Sequence, residues 1–199
     1  GTASEQLIRK ASIPLLYSSI YYLPQSYIVN REVFDYEFEL AHKDLFQSLE
    51  SISDMVFIDT ESRGNASSVQ ILEEADLVVV NIDQDKEDWD DYFENYASML
   101  EKSVFLIGRY EKENPFNLEL IQRQYHIPRG KMAVIPYNID LHIAANEGRM
   151  IPFLNRNYLK SSRAENEYLM GEVKRAVIML KENMTYLGKP DMMRRFGKN

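Results

Sequence analysis

The chain has 199 residues, 45% of them hydrophobic, and a formal net charge of −8. That composition fills one core of ordinary domain size and argues against bulk attraction to nucleic acid or anionic lipid. It contains no cysteine, which excludes disulfides, thiolate catalysis and cysteine zinc sites, and no apolar stretch nears the roughly 20 residues that span a bilayer. Residues 1–30 lack the charged start and small-residue cleavage site of a signal peptide, so a cytoplasmic location is expected.

The first predicted element is a strand in "SSIYYLP" at 18–24, ending at Pro24. A helix follows over 31–50, where Phe34, Phe38, Ala41, Leu45 and Leu49 recur every three or four residues. "MVFI" at 55–58 predicts a strand, and Val69 and Leu72 a helix over 66–75. "LVVVNI" at 77–82 predicts the next strand. Tyr92, Phe93, Tyr96 and Leu100 predict a helix over 88–101, and "VFLIG" at 104–108 another strand. A helix over 115–126, a strand "MAVIP" at 132–136 and a long helix over 163–184 complete the series. The tail 185–199, with Gly188, Pro190 and Gly197, is expected to be loosely ordered.

These strands are continuous apolar runs rather than alternating ones, which suits strands covered on both faces. Alternation with helices over short loops predicts one α/β domain over 1–184, a parallel sheet with helices on both faces.

In open α/β sheets, ligands bind beyond the carboxyl ends of the strands. Those ends carry Asp59-Thr60-Glu61-Ser62, Asp83, Gly108-Arg109-Tyr110 and Pro136-Tyr137-Asn138. An apolar strand ending in an acid is the pattern of a Walker B aspartate, which holds Mg²⁺ through water while phosphate oxygens fill the remaining positions. Asp59 has two readings on this pattern, a Mg²⁺ acid or a side-chain cap of the following turn. The phosphate cradle G-x-x-x-x-G-K-[ST] is absent from the chain: Gly130, Gly188 and Gly197 precede a lysine, but Met132, Pro190 and Asn199 then stand where Ser or Thr is required.

The stretch "DMVFIDTESRGNASSVQILEEADLVVVNI" resembles the middle of ParA/MinD-type (SIMIBI class) P-loop ATPases, in which a strand ends in Asp-Thr-Pro-Pro and an Ala-Ala-Asp opens the next strand. "AVIPYNIDLHIAANEGRMI" at 133–151 is similar to the family's Val-Ile-Pro-Arg-Asn segment, and "IYYLPQS" to its Leu-Pro-Ser turn. The variant looks closest to pilus-localisation (CpaE/TadZ-like) or mobile-element partitioning proteins. The resemblance implies a three-layer P-loop-type sheet, ATP and Mg²⁺ as ligands of the full-length parent, and a homodimer that ATP assembles and hydrolysis releases. It implies that Asp59 touches Mg²⁺ through water and that Thr60, Glu61, Ser62, Arg63, Gly64 and Asn65 form the switch region. It places Arg109, Tyr110, Pro136, Tyr137 and Asn138 on the base side.

The chain departs from the family at Glu61-Ser62 (Pro-Pro in the family) and at Tyr137 (Arg in the family). The family's first strand, lysine-bearing loop and second strand match nothing in the chain, so it corresponds to the part after the Walker A loop. A gap in the sheet is expected, to be filled by residues 1–20, by a partner chain or by rearrangement. The chain is expected not to hydrolyse ATP and to bind neither ATP nor Mg²⁺ tightly by itself. The alternative is a degenerate, non-catalytic localisation or protein-interaction module on the same fold.

Other features read as structural. His42, His126 and His142 show no metal-ligand spacing and are expected at the surface or half-buried. "DQDKEDWDDYFENY" at 83–96 lacks the glycine and twelfth-position Glu of a Ca²⁺ loop and reads as an acidic helix start, with Trp89 packing there. The early tyrosines read as core-edge residues rather than a stacking platform, because few basic residues interleave with them. DNA contact, through a cluster such as Lys174, Arg175 and Lys181, is not favoured by the net charge. The tail "DMMRRFGKN" faintly resembles the membrane-targeting helix of MinD-type proteins, and a solvated end is the favoured reading.

Overall fold

The computed structural model describes residues 2–25, 30–60, 65–161 and 163–186. They fall into two compact units, Gly1–Glu74 and Ala75–Asn199.

The first unit is helical. Helix α1 (Ala3–Ala11) starts at a capping box: Glu5 N donates to Thr2 Oγ1, and Thr2 N donates to Glu5 Oε2. That Thr-x-x-Glu spacing satisfies two of the helix's orphan donors. A two-residue antiparallel bridge follows, β1 (Ile13–Pro14) against β2 (Tyr21–Tyr22). The strand expected at 18–24 shrinks to this exposed bridge, and residues 1–20 supply no strand to the larger sheet.

Helix α2 (Arg31–Ile52) is capped by Asn30 and buries one stripe, Phe38, His42 and Ser48, flanked by half-buried Phe34, Phe46 and Leu49. Helix α3 (Ala66–Glu74) is tied to it by polar contacts. Ser67 Oγ donates to Asp35 Oδ1 at 2.6 Å, and His42 Nε2 lies 2.9 Å from both Gln70 Nε2 and Glu74 Oε1. His42 is therefore buried, deeper than the surface or half-buried position expected. Its Nδ1 faces the carbonyls of Phe38 and Glu39, so the ring is held by backbone on one side and by α3 on the other.

The strand expected at 55–58 does not form. Residues 55–60 have no regular structure, and Phe57 is 78% exposed. A strand-favouring composition needs a neighbour to hydrogen-bond, and no strand among the described residues pairs with this run.

The second unit is α/β. Strands β3 (Val78–Ile82), β4 (Ser103–Tyr110) and β5 (Met132–Pro136) pair in parallel, in the order β3-β4-β5. Helix α4 (Lys86–Asn95) with a short 3-10 helix (Ala97–Lys102) links the first pair. Helix α5 (Leu118–Gln124) links the second. Both lie on one face, where Trp89, Tyr92 and Ile121 meet Ile82, Phe105, Ile107, Met132 and Val134. After helices α6 (Ile139–Asn146) and α7 (Met150–Leu159), the long α8 (Ala164–Tyr186) covers the other face. There Ala176 and Met179 pack on Val104 and Ala133. The parallel sheet with helices on both faces is thus present, as three strands.

Several boundaries differ from the sequence reading. The helix expected over 88–101 ends at Asn95, and α8 runs two residues past the expected 184. No strand among the described residues pairs with the outer edge of β3, and its opposite face is uncovered at Val79 and Asn81. No helix among the described residues is long and apolar enough to cross a membrane. Residues 187–199, including the tail considered for membrane contact, lie outside the described residues.

The acidic stretch at 83–96 is a helix start. Asp85 caps α4 by accepting from Glu87 N, and Glu87 and Asp88 occupy the first turn, where the helix dipole favours negative charge. Asp90 accepts from Lys86 and from the Tyr125 hydroxyl at 2.7 Å. The Lys86 hydrogen bond, then that of Tyr125, holds the Asp90 carboxyl below its ordinary value. Burial, then Asp90, pushes the Tyr125 phenol up. Asp90 thus adds stability above about pH 4 that fades as acid protonates the folded carboxyl. Tyr125 adds stability below about pH 10 that fades as pH rises toward its raised folded value. Stability measured by urea unfolding is expected to fall less steeply above about pH 10 in Tyr125→Phe, and less steeply below about pH 4 in Asp90→Asn, than in the parent chain.

Candidate functional site

Parallel strands gather their carboxyl ends on one edge, and in the second unit that edge is built from the ends of β3, β4 and β5. After β3 come Asp83 and Gln84. The Asp83 carbonyl accepts the indole N–H of buried Trp89 at 2.9 Å. Gln84 holds the loop after β4, its Oε1 accepting from Glu111 N at 2.7 Å and its Nε2 donating to the Phe116 carbonyl at 3.0 Å.

β4 carries one extra residue between Ile107 and Tyr110, a β-bulge against β5. Arg109 takes φ 46° there, and its guanidinium pairs with the Asp83 carboxylate. That hydrogen bond raises the guanidinium above its ordinary value, and the charge of Asp83 adds to it. Gly108 allows a close approach: a Cβ at this position would lie 3.0 Å from both Asn81 Oδ1 and Asp83 Oδ1, and those side chains would have to give way. Beyond the bulge, Tyr137 N donates to the Tyr110 carbonyl at 3.2 Å, and the Tyr110 hydroxyl accepts from Leu118 N at 3.3 Å.

Pro136 is buried and ends β5, the Tyr137 side chain is exposed, and Asn138 is buried. Asn138 caps α6, its Oδ1 accepting from Leu141 N at 2.8 Å. Its Nδ2 donates to Asn166 Oδ1 at 2.8 Å and toward the Glu165 carbonyl at 3.4 Å. Asn166 in turn donates to Asp140 Oδ2, and Arg163 grips both oxygens of Asp140 at 2.9 and 2.8 Å. One polar network therefore ties the end of β5 to the start of α6 and the first turn of α8. Nearby, Lys112 Nζ, from the turn after β4, sits 4.1 Å over the ring of Tyr168 on α8.

Of the residues singled out in the sequence, this edge brings together Arg109, Tyr110, Pro136, Tyr137 and Asn138. Asp59 and Thr60 belong to the first unit, in the irregular segment after α2, with Asp59 exposed. Asn65 caps α3 by accepting from Ser68 N at 2.8 Å. Glu61, Ser62, Arg63 and Gly64 lie outside the described residues. Asp140, Arg163, Asn166, Lys112 and Tyr168 were not singled out. The Asn-Ile-Asp run at 138–140 is an N-cap signal that points to the first of them.

Most polar side chains of this edge are engaged, while the Tyr137 side chain is exposed and that of Arg109 is exposed beside its pairing with Asp83. Of the cations considered for DNA contact, Arg175 pairs with Glu172 and Lys174 sits 4.8 Å over the Tyr158 ring. No group of three or more His, Cys, Asp or Glu among the described residues could hold a metal ion. A single exposed carboxylate such as Asp59 suits Mg²⁺ only through water and with phosphate oxygens as the other ligands.

No protein-family model, no curated protein and no solved structure matches the chain.

Proposed function

We propose that the chain is the carboxyl-side portion of a ParA/MinD-like ATPase with a P-loop-type sheet, a switch for partitioning or subcellular positioning. The observation that carries this reading is the alignment of Arg109, Tyr110, Pro136, Tyr137 and Asn138 at the carboxyl ends of adjacent parallel strands. In this reading Tyr137 stacks on the base. Arg109 supplies donors beside it, and Asn138 fixes the turn that carries Tyr137. Asp59 holds Mg²⁺ through water, and the ion neutralises phosphate charge. ATP and Mg²⁺ favour a homodimer, and hydrolysis releases it.

The 199 residues hold no phosphate-binding lysine loop, so the chain alone is assigned no turnover. Calorimetric titration of ATP with Mg²⁺ tests the reading. A longer form that supplies such a loop is expected to bind, and Asp59→Ala in it to weaken the Mg²⁺-dependent part of the binding. Failure of that form to bind ATP would refute the reading. So would ATP turnover by the 199-residue chain that disappears on Asp59→Ala.

A second reading, a non-catalytic localisation or protein-interaction module, is favoured by the internal engagement of Arg109 and Asn138. It is also favoured by the exposed apolar side chains of Tyr137, Ile139 and Ile143 beside them. It predicts a form that binds a protein partner with or without ATP.

A further inference from the structure

β3 has two edges. One pairs with β4, and the other pairs with no strand among the described residues. The open edge is five residues long, Val78-Val79-Val80-Asn81-Ile82, with no Pro, Gly or charged residue. Natural edge strands are usually blunted by charge, Pro, bulges or a covering element. This one shows no such residue, and the Val79 side chain is 37% exposed.

The same chain carries a matching strand former. Met55-Val56-Phe57-Ile58-Asp59 is also five residues, apolar up to its final acid and rich in β-branched and aromatic side chains. It lies outside regular structure, with Val56, Phe57 and Ile58 all exposed. A strand former with exposed side chains, and a strand of equal length and like chemistry whose outer edge pairs with no strand among the described residues, thus occur on one molecule. Pairing them between molecules satisfies main-chain donors and acceptors and removes apolar surface from water.

We propose that copies of this chain associate by strand addition, Met55–Asp59 of one copy pairing with the outer edge of β3 in another. The association needs no nucleotide and is read from the strands of the 199 residues alone. The donor and the acceptor are different surfaces, so the contact is head-to-tail, and each copy can give one strand and receive one.

Sedimentation velocity of the whole chain over about 1–200 µM, the range in which exposed edges associate, tests this together with amide hydrogen exchange at both ends of that range. The weight-average mass is expected to rise with concentration, and amides within 55–59 and 78–82 to exchange more slowly in the concentrated sample. Phe57→Lys spoils the donor and Val79→Lys the acceptor. Both side chains are exposed, so circular dichroism is expected to be unchanged. Each variant is expected to need about tenfold more protein for the same association. An equimolar mixture of the two joins an intact donor to an intact acceptor and is expected to associate more strongly than either alone. A chain that stays monomeric throughout overturns the proposal. So does association without slowed exchange at both stretches, or a mixture no better than its components.

Discussion

Trp89→Ala is expected to lower the stability of the second unit by about 3–5 kcal/mol, the range for deleting a buried aromatic side chain. Trp89 is 0% exposed. Its ring lies 5.3 Å from that of Phe105 and 5.5 Å from that of Tyr125, centroid to centroid, and Phe93 stacks at 6.4 Å. Truncation therefore removes a ring from the centre of the cluster between α4, β4 and α5, and those elements cannot close the gap without losing their own contacts. Trp89→Phe separates packing from hydrogen bonding. It keeps an aromatic ring but leaves the Asp83 carbonyl without the indole donor, and about 1–3 kcal/mol of loss is expected. Urea unfolding followed by far-ultraviolet circular dichroism measures both. A loss under about 1 kcal/mol for Trp89→Ala would contradict the central place given to this ring.

Asn138→Ala is expected to cost about 2–4 kcal/mol, from two sources. Loss of the α6 cap is worth about 1 kcal/mol. Loss of the donor to Asn166 leaves a buried carbonyl oxygen unpaired, worth about 1–3 kcal/mol. Asn138→Ser keeps a capping hydroxyl and loses only the donor, so it is expected to fall between alanine and the parent. If serine is as damaging as alanine, the cap contributes nothing. If both are neutral, the network from Asn138 through Asn166 and Asp140 to Arg163 does not hold the end of β5.

Strands β4 and β5 could be read directly from continuous apolar runs, because a strand covered on both faces leaves no polar alternation; the run at β3 is as apolar although one of its faces is open at Val79 and Asn81. The same signal failed at 55–58. The composition is there, but strand formation depends on a neighbouring edge, which no window of sequence contains. Helix α1 was missed although Thr2 and Glu5 form a capping box that announces it. Helix α6 was missed because its apolar residues lie all around it, so no 3.6-residue stripe marks it. The full burial of His42 is not legible, because a lone histidine carries no sign of its partners, which come from α3 about 30 residues on.

At the candidate site, the backbone positions were readable and the side-chain commitments were not. Strand ends follow from strand assignment, so Arg109, Tyr110, Pro136, Tyr137 and Asn138 fell on one edge as expected. The cap that Asn138 gives to Leu141 N is local, but its bond to Asn166 and the pairing of Arg109 with Asp83 depend on residues far away in sequence.

The bulge at Gly108–Arg109 bears on the entropy of binding. Main-chain pairing resumes past it, from Tyr137 N to the Tyr110 carbonyl, so the two strand ends are fastened together rather than left as free loops. Gln84 fastens the next loop at Glu111 and Phe116. In the proposed reading, a base settling on this lip meets a backbone that is already hydrogen-bonded, and little of its contact energy is lost to freezing the protein.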